Sequence, residues 1–219
     1  GFNRDTGLDD WTLFYRGVYL FDTSGLPDAC TISDATISLY GCTKQFSNGS
    51  HVSSYNVYAC STASNDDLVN ADYNWANWDD TALCDTALAE GDLVTGAYND
   101  WVLNDDGISI ISKDGITTLG LLWVNDATGT DPSIVASGED YFITYSADQG
   151  VGYKPKLYIV YTEAAAPSVT TQAGDTVTYN SFNANGTITA IGTGTPSQRG
   201  FCYTTSGTPT TARRRPTTR

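Results

Sequence analysis

The side chains able to do chemistry are few and scattered. His51 is the sole histidine in 219 residues. It could serve as a base for a serine nucleophile only with a carboxylate to hold it and a sharp nucleophile turn, and no G-x-S-x-G stretch occurs. It lies instead beside Asn48-Gly49-Ser50, which reads as a loop. One histidine also excludes the H-E-x-x-H metal arrangement, which needs two. Carboxylates are plentiful, with adjacent pairs at Asp66-Asp67, Asp79-Asp80 and Asp105-Asp106. Two carboxyl groups roughly 5–10 Å apart can cleave a glycosidic bond. Neighbouring aspartates in Asn- and Gly-rich stretches, however, more often shape turns and helix caps. Their oxygens are compatible with a structural calcium ion, although the D-x-[DN]-x-[DN]-G spacing is missing. No other cofactor is expected, and the chain reads as a non-enzyme.

The remaining candidates are aromatic. Tyr73, Trp75 and Trp78 sit in the polar stretch 71–80. Exposed rings there could stack on the C–H faces of sugars and bind a polysaccharide or glycan. The other reading is that Trp75 and Trp78 plug one end of a sandwich, because a large indole gains most from burial. Five cysteines occur, at 30, 42, 60, 84 and 202, with no C-x-x-C pair to suggest zinc or redox chemistry. Cys30 and Cys42 bracket one extended segment and are too far apart to bridge. Cys60 and Cys84 are the expected disulfide, since both abut loops. Asn48-Gly49-Ser50 and Asn185-Gly186-Thr187 match the N-glycosylation acceptor.

The segments that must carry these residues alternate with a period of two. In 16–22, Gly17, Tyr19 and Phe21 share one face, and Arg16, Val18 and Leu20 the other. In 31–41, Ala35, Ile37 and Leu39 share a face opposite Asp34, Thr36, Ser38 and Tyr40. Such alternation marks a sheet with one buried face. Between them, Asp22-Thr23-Ser24-Gly25-Leu26-Pro27-Asp28 is a turn-rich connection. Further strands are expected at 11–21, 52–60, 98–104, 117–123, 141–146 and 156–162. A single helical turn capped by Asn or Asp is expected at 104–111. Residues 1–10, 43–50, 61–80 and 125–139 read as loops, and 87–94 fits neither template.

This many short strands separated by Gly, Asn and Asp argue for an all-β, two-layer sandwich. Glu163 closes the first domain, 1–163, and 164–167 is a linker. Strand-like runs at 169–171, 187–191 and 199–203 make 168–211 about half of an immunoglobulin-sized sandwich. The basic tail 212–219 is low in complexity. Through Glu163 the chain carries 24 acidic against 6 basic side chains. A body this acidic repels phosphate backbones, which excludes nucleic acid as its partner. No run approaches the ~18 apolar residues of a membrane span, so membrane insertion is not expected. With no Met and no signal-like start, the sequence reads as a mature product or a fragment. Its surface chemistry, poor in Lys and rich in Thr, Ser, Asn and Tyr, is that of secreted all-β proteins.

Several blocks in order carry a resemblance. They are Arg16, Val18, Leu20, Phe21-Asp22, Ser24-Gly25-Leu26-Pro27, Thr31-Ile32, Ala35, Ile37 and Leu39-Tyr40. They continue through Gly96–Asn104 and Gly115–Leu121 and close with Lys154–Thr162. Residues 16–162 thereby resemble the DNRLRE-type domains of secreted and surface proteins. The resemblance implies a jelly-roll-like sandwich, an accessory or adhesion role beside other domains of a larger parent chain, and carbohydrate binding in some relatives. It transfers no site residue. The stretch Pro167–Thr211 is similar to the first half of a fibronectin-like repeat. The expected function is a non-catalytic module, extracellular or at the cell surface, that binds carbohydrate. The alternative is a structural spacer of a surface or phage fibre protein.

Overall fold

The computed structural model describes residues 2–4, 11–47, 52–65, 67–130, 138–193 and 199–204. The chain divides into two compact units, 1–162 and 163–219. Eleven strands build the first: β1 (Phe2–Arg4), β2 (Trp11–Phe14), β3 (Gly17–Asp22), β4 (Thr31–Phe46), β5 (Ser54–Cys60), β6 (Trp78–Ala82), β7 (Leu88–Ala89), β8 (Tyr98–Val102), β9 (Ile116–Trp123), β10 (Gly138–Thr144) and β11 (Lys156–Thr162). Two helical turns, α1 (Asp105–Ser109) and α2 (Val124–Thr128), interrupt them. One antiparallel sheet runs β11-β4-β10-β1-β2, with β8 also on β4; the other runs β3-β9-β5-β6, with β7 also on β5. From β3 to β5, and from β7 to β10, consecutive strands alternate between sheets in a jelly-roll-like exchange.

The alternation seen in the sequence decides which side chains meet. Ala35, Ile37 and Leu39 of β4 and Trp101 of β8 face Tyr55 and Val57 of β5 and Leu119, Leu121 and Trp123 of β9 in one continuous core. Trp101 donates its indole N–H to the Tyr55 carbonyl at 2.9 Å, and the Tyr19 and Thr144 hydroxyls pair at 2.6 Å, joining the two sheets. Buried Asp140 accepts the Ser47 N–H (2.8 Å) and the Ser53 hydroxyl (2.9 Å), so a carboxylate inside the sandwich is held by hydrogen bonds. The capped turn expected near 104 is present: the Asn104 side chain accepts from Gly107 N–H at 3.0 Å.

The second sheet is also covered on its outer side. Val18, Tyr58, Cys60, Trp78, Leu122 and Ala127 form a smaller cluster there. Trp78 lies flat on Gly120, where an added Cβ would collide with the indole. Gly120 is therefore the gap that admits Trp78.

Several expectations are corrected. The strand expected over 11–21 breaks at Tyr15-Arg16, because the chain passes there from the first sheet to the second. The alternation continues across the crossover and conceals it. Residues 2–4 form a strand rather than part of a loop, pairing with β10 and β2. Residues 43–46 extend β4, where they pair with β10 past an irregularity at Cys42. The loops at 61–80 and 125–139 contain β6, α2 and the start of β10.

The expected Cys60–Cys84 disulfide does not form; both are free thiols. The Asn56 amide donates to the Cys84 carbonyl at 2.9 Å, and Cys60 is four residues further along β5, about 13 Å away. The two also lie on opposite faces of the sheet, Cys84 in the main core and Cys60 in the outer cluster.

In the second unit, β12 (Ser168–Asp175) and β13 (Asn183–Ala190) form one antiparallel hairpin. The strand expected at 199–203 is absent, and Phe201 rests on Gly186 instead. Asn185, in the second glycosylation triplet, donates to Ala173 O at 3.0 Å and Asp175 Oδ2 at 3.3 Å. His51, the Asn48 triplet, Asp66 and the tail 212–219 lie outside the described residues.

Two outcomes follow from this packing. Gly120→Ala should lower stability by about 1–3 kcal/mol, read as a reduced urea midpoint, because Trp78 must lift away. Burial also pushes Tyr19, Tyr58, Cys60 and Cys84 each up to about 12. The unfolded chain releases these protons first, from about pH 9 for the thiols and 10 for the phenols. Stability should therefore be fully present below pH 9 and fall as pH rises toward 12. A urea midpoint unchanged between pH 8 and 11 would contradict this.

Candidate functional site

The aromatic stretch singled out in the sequence is gathered around a cation. Asp72, itself buried, accepts the N–H groups of Ala63 (2.8 Å) and Val69 (2.9 Å), which closes the 61–72 excursion on itself. Two 3₁₀ turns, Asn70–Tyr73 and Trp75–Asn77, follow, the second capped by Asn74 accepting from Ala76 N–H at 3.1 Å. Trp78 then donates its indole N–H to the Asp72 carbonyl at 3.1 Å. The Tyr73 hydroxyl donates to Phe14 O at 2.8 Å, anchoring the excursion beside the β2–β3 crossover.

Into this frame the crossover inserts Arg16. Its guanidinium makes a two-pronged pair with Asp126 of α2, at 2.8 and 3.0 Å, and donates to the Tyr73 carbonyl at 2.8 Å. Its central carbon lies 4.5 Å from the Tyr73 ring centroid, 4.9 Å from Trp75 and 5.7 Å from Trp78. Burial disfavours this charge, but the hydrogen bond and field of Asp126 outweigh it and raise Arg16 above its ordinary value. Thus Tyr73, Trp75 and Trp78 come together, but their shared space is filled by the protein's own cation. Trp78 is only 9 % exposed, while Trp75 (39 %) and Tyr73 (47 %) keep an outer edge in solvent. The cluster works as a clamp that closes the outer side of the second sheet.

Among the described residues, the outer side of the first sheet is left open over β4, β8 and β11, and it carries tyrosines. Ser38 and Tyr40 of β4, Tyr98 of β8 and Lys156 and Tyr158 of β11 fall on the side opposite Ile37, Leu39 and Leu157. Tyr145 and Tyr153, after β10, fold back onto them. Tyr40 meets Tyr98 edge-on at 5.0 Å and Tyr153 edge-on at 4.9 Å, and Tyr145 meets Tyr153 at 5.2 Å. The Tyr98 hydroxyl is fixed by the carbonyls of Gly152 (3.1 Å) and Lys154 (3.0 Å). The Lys156 ammonium sits 3.7 Å from the Tyr98 ring centroid. Tyr158 is 54 % exposed and Tyr153 40 %, with Val102 and Val160 exposed beyond them. Edge-to-face packing and backbone anchors hold these rings, so an incoming ligand has little left to order.

Two of the paired carboxylate stretches make local contacts. Asp79 accepts the Thr81 N–H at 2.8 Å, a local turn bond that lowers its pKa. Asp105 and Asp106 begin α1 and line an open cleft of about 410 Å³ with Ser33, Asp34, Asp85 and Asn104. Among the described residues, no group of three or more His, Cys, Asp or Glu side chains is placed to hold a metal ion.

The tyrosine face escaped the sequence reading, because its members come from three strands and the β10–β11 connection. The available signal was phase: Tyr40 continues the polar series Thr36, Ser38, and Tyr158 lies between inward Leu157 and Ile159. An aromatic in the solvent phase of an alternating strand is the mark of a surface used for contact. No family model, no curated protein and no solved structure matches the chain. The likeness to DNRLRE-type domains rests on the sequence blocks alone.

The clamp yields a direct test. Arg16→Ala should cost about 3 kcal/mol in urea unfolding, since it leaves Asp126 without its cation, and should shift tryptophan emission to the red. Arg16→Lys should recover only part of the loss, because one ammonium cannot span both carboxylate oxygens.

Proposed function

We propose that residues 1–162 are a non-catalytic module of a larger extracellular or surface protein and bind carbohydrate. The observation that carries the reading is the exposed tyrosine face on the outer side of β4, β8 and β11. Sugars present apolar C–H faces edged by hydroxyls. Tyrosines beside Thr36 and Asp100 offer the complement, apolar rings edged by polar groups. The likeness of 16–162 to DNRLRE-type domains supports the same reading. The binding residues in this reading are Tyr153 and Tyr158 with their supports, not the Trp75–Trp78 stretch favoured from the sequence, whose rings are committed to Arg16.

A second reading, a spacer between other parts of a surface protein, is favoured by the separate hairpin unit after residue 162. Affinity electrophoresis through gels containing neutral polysaccharides separates the two. The intact chain should be retarded in at least one gel, and the double substitution Tyr153→Ala and Tyr158→Ala should weaken retention at least tenfold, about 1.4 kcal/mol. Retention in no gel would support the spacer. Retention lost in Trp75→Ala but kept in the tyrosine double variant would return the site to residues 71–80.

A further inference from the structure

We infer, resting on the carbohydrate reading above, that the tyrosine face takes an uncharged, extended oligosaccharide laid along β4, spanning from Tyr153 to Tyr158. The direction follows from register. Tyr158 is opposite Thr36, Lys156 is opposite Ser38, and Tyr40, which Tyr153 packs against, is opposite Tyr98. The exposed rings therefore form a strip that follows β4, with Tyr153 at one end and Tyr158 further along. Tyr40 and Thr36 are four residues apart, about 13 Å at ~3.3 Å per residue, roughly the reach of three sugar residues in an extended chain. The rings at the two ends are too far apart to grip one sugar and are spaced to grip separate sugars of one chain.

Charge selects the chemical class. The first unit holds 23 acidic against 6 basic side chains, so a polyuronate or sulfated chain is repelled as it approaches. At the strip itself, exposed Asp100 lies in the same row as Ser38 and Lys156, and exposed Asp34 lies opposite Val160. The Lys156 ammonium is held over Tyr98 and lies 5.9 Å from the Tyr158 ring, occupied by neighbours of its own chain. Ring hydroxyls and half-buried Thr36 supply donors and acceptors without net charge. A chain of neutral hexoses or pentoses fits this lining, and an anionic chain does not.

Isothermal titration of the intact 219-residue chain with cello-, xylo- and manno-oligosaccharides of two to six residues tests this, with oligogalacturonates of the same lengths alongside. For at least one neutral series, affinity should rise at least tenfold between two and four residues and level off beyond. Galacturonates should bind at least tenfold more weakly at each length. Tyr158→Ala should shrink the gain between two and four residues below threefold; Tyr153→Ala should do the same from the other end. An unchanged urea midpoint should accompany the loss in Tyr158→Ala, while Tyr153→Ala, which also removes edge contacts to Tyr40 and Tyr145, should stay folded with a slightly lower midpoint. Affinity independent of length, equal binding of galacturonates, or a length gain that survives both substitutions would each overturn this inference while leaving carbohydrate binding in place. Absence of binding to any oligosaccharide, together with no retention in any polysaccharide gel, would overturn both.

Discussion

The sixteen-residue strand β4 is paired along both of its edges: β11 and β10 take successive stretches, and β8 pairs with residues 36–40. Its two faces perform different tasks. Ala35, Ile37 and Leu39 enter the core, while Thr36, Ser38 and Tyr40 point to the opposite side, where Ser38 is buried beneath its neighbours. A slip of one residue would exchange the two sets, placing isoleucine and leucine in water and tyrosine and serine inside. The energetics of folding therefore fix the positions of the surface tyrosines. Any substitution that respects the core also preserves the spacing of the rings above it.

The two sheets treat their outer sides in opposite ways. The second sheet is sealed, by an excursion that folds on Asp72, seats Trp78 on Gly120 and is drawn down by Arg16. The guanidinium is well suited to this position. Three of its five N–H groups meet two carboxylate oxygens and one carbonyl, and the rings of Tyr73, Trp75 and Trp78 lie within about 6 Å of its central carbon. Among the described residues the first sheet has no such cover over β4, β8 and β11, and Tyr40, Tyr98 and Tyr153 are braced by one another and by the turn at 150–154. One sheet thus uses aromatic rings for closure, the other for display.

The sandwich itself was legible in the residue order, because a period of two over a half-buried strand is a strong signal: Ile37, Leu39, Leu119 and Leu121 all face inward. The capped turn at Asn104 was legible for the same local reason. What the order concealed is long-range. The crossover at Tyr15-Arg16 preserves the alternation and so looks like one strand. The Cys60–Cys84 pairing was read from loop proximity, which says nothing about which face of a sheet a thiol occupies. Trp75 and Trp78 advertised themselves as an aromatic stretch, yet their partner is 59 and 62 residues earlier in the chain. The tyrosine face was dispersed over more than a hundred residues, from 40 to 158, and only strand pairing assembles it.

The sealing of one outer face carries a consequence for valency. In the carbohydrate-binding reading, each copy of the fold docks through its tyrosine flank. A parent protein that needed firm attachment would obtain it by repeating the fold, each added copy raising the effective concentration of the next site rather than the strength of any one. Weak individual sites of one polarity, strung along a tether, would then release singly and hold collectively.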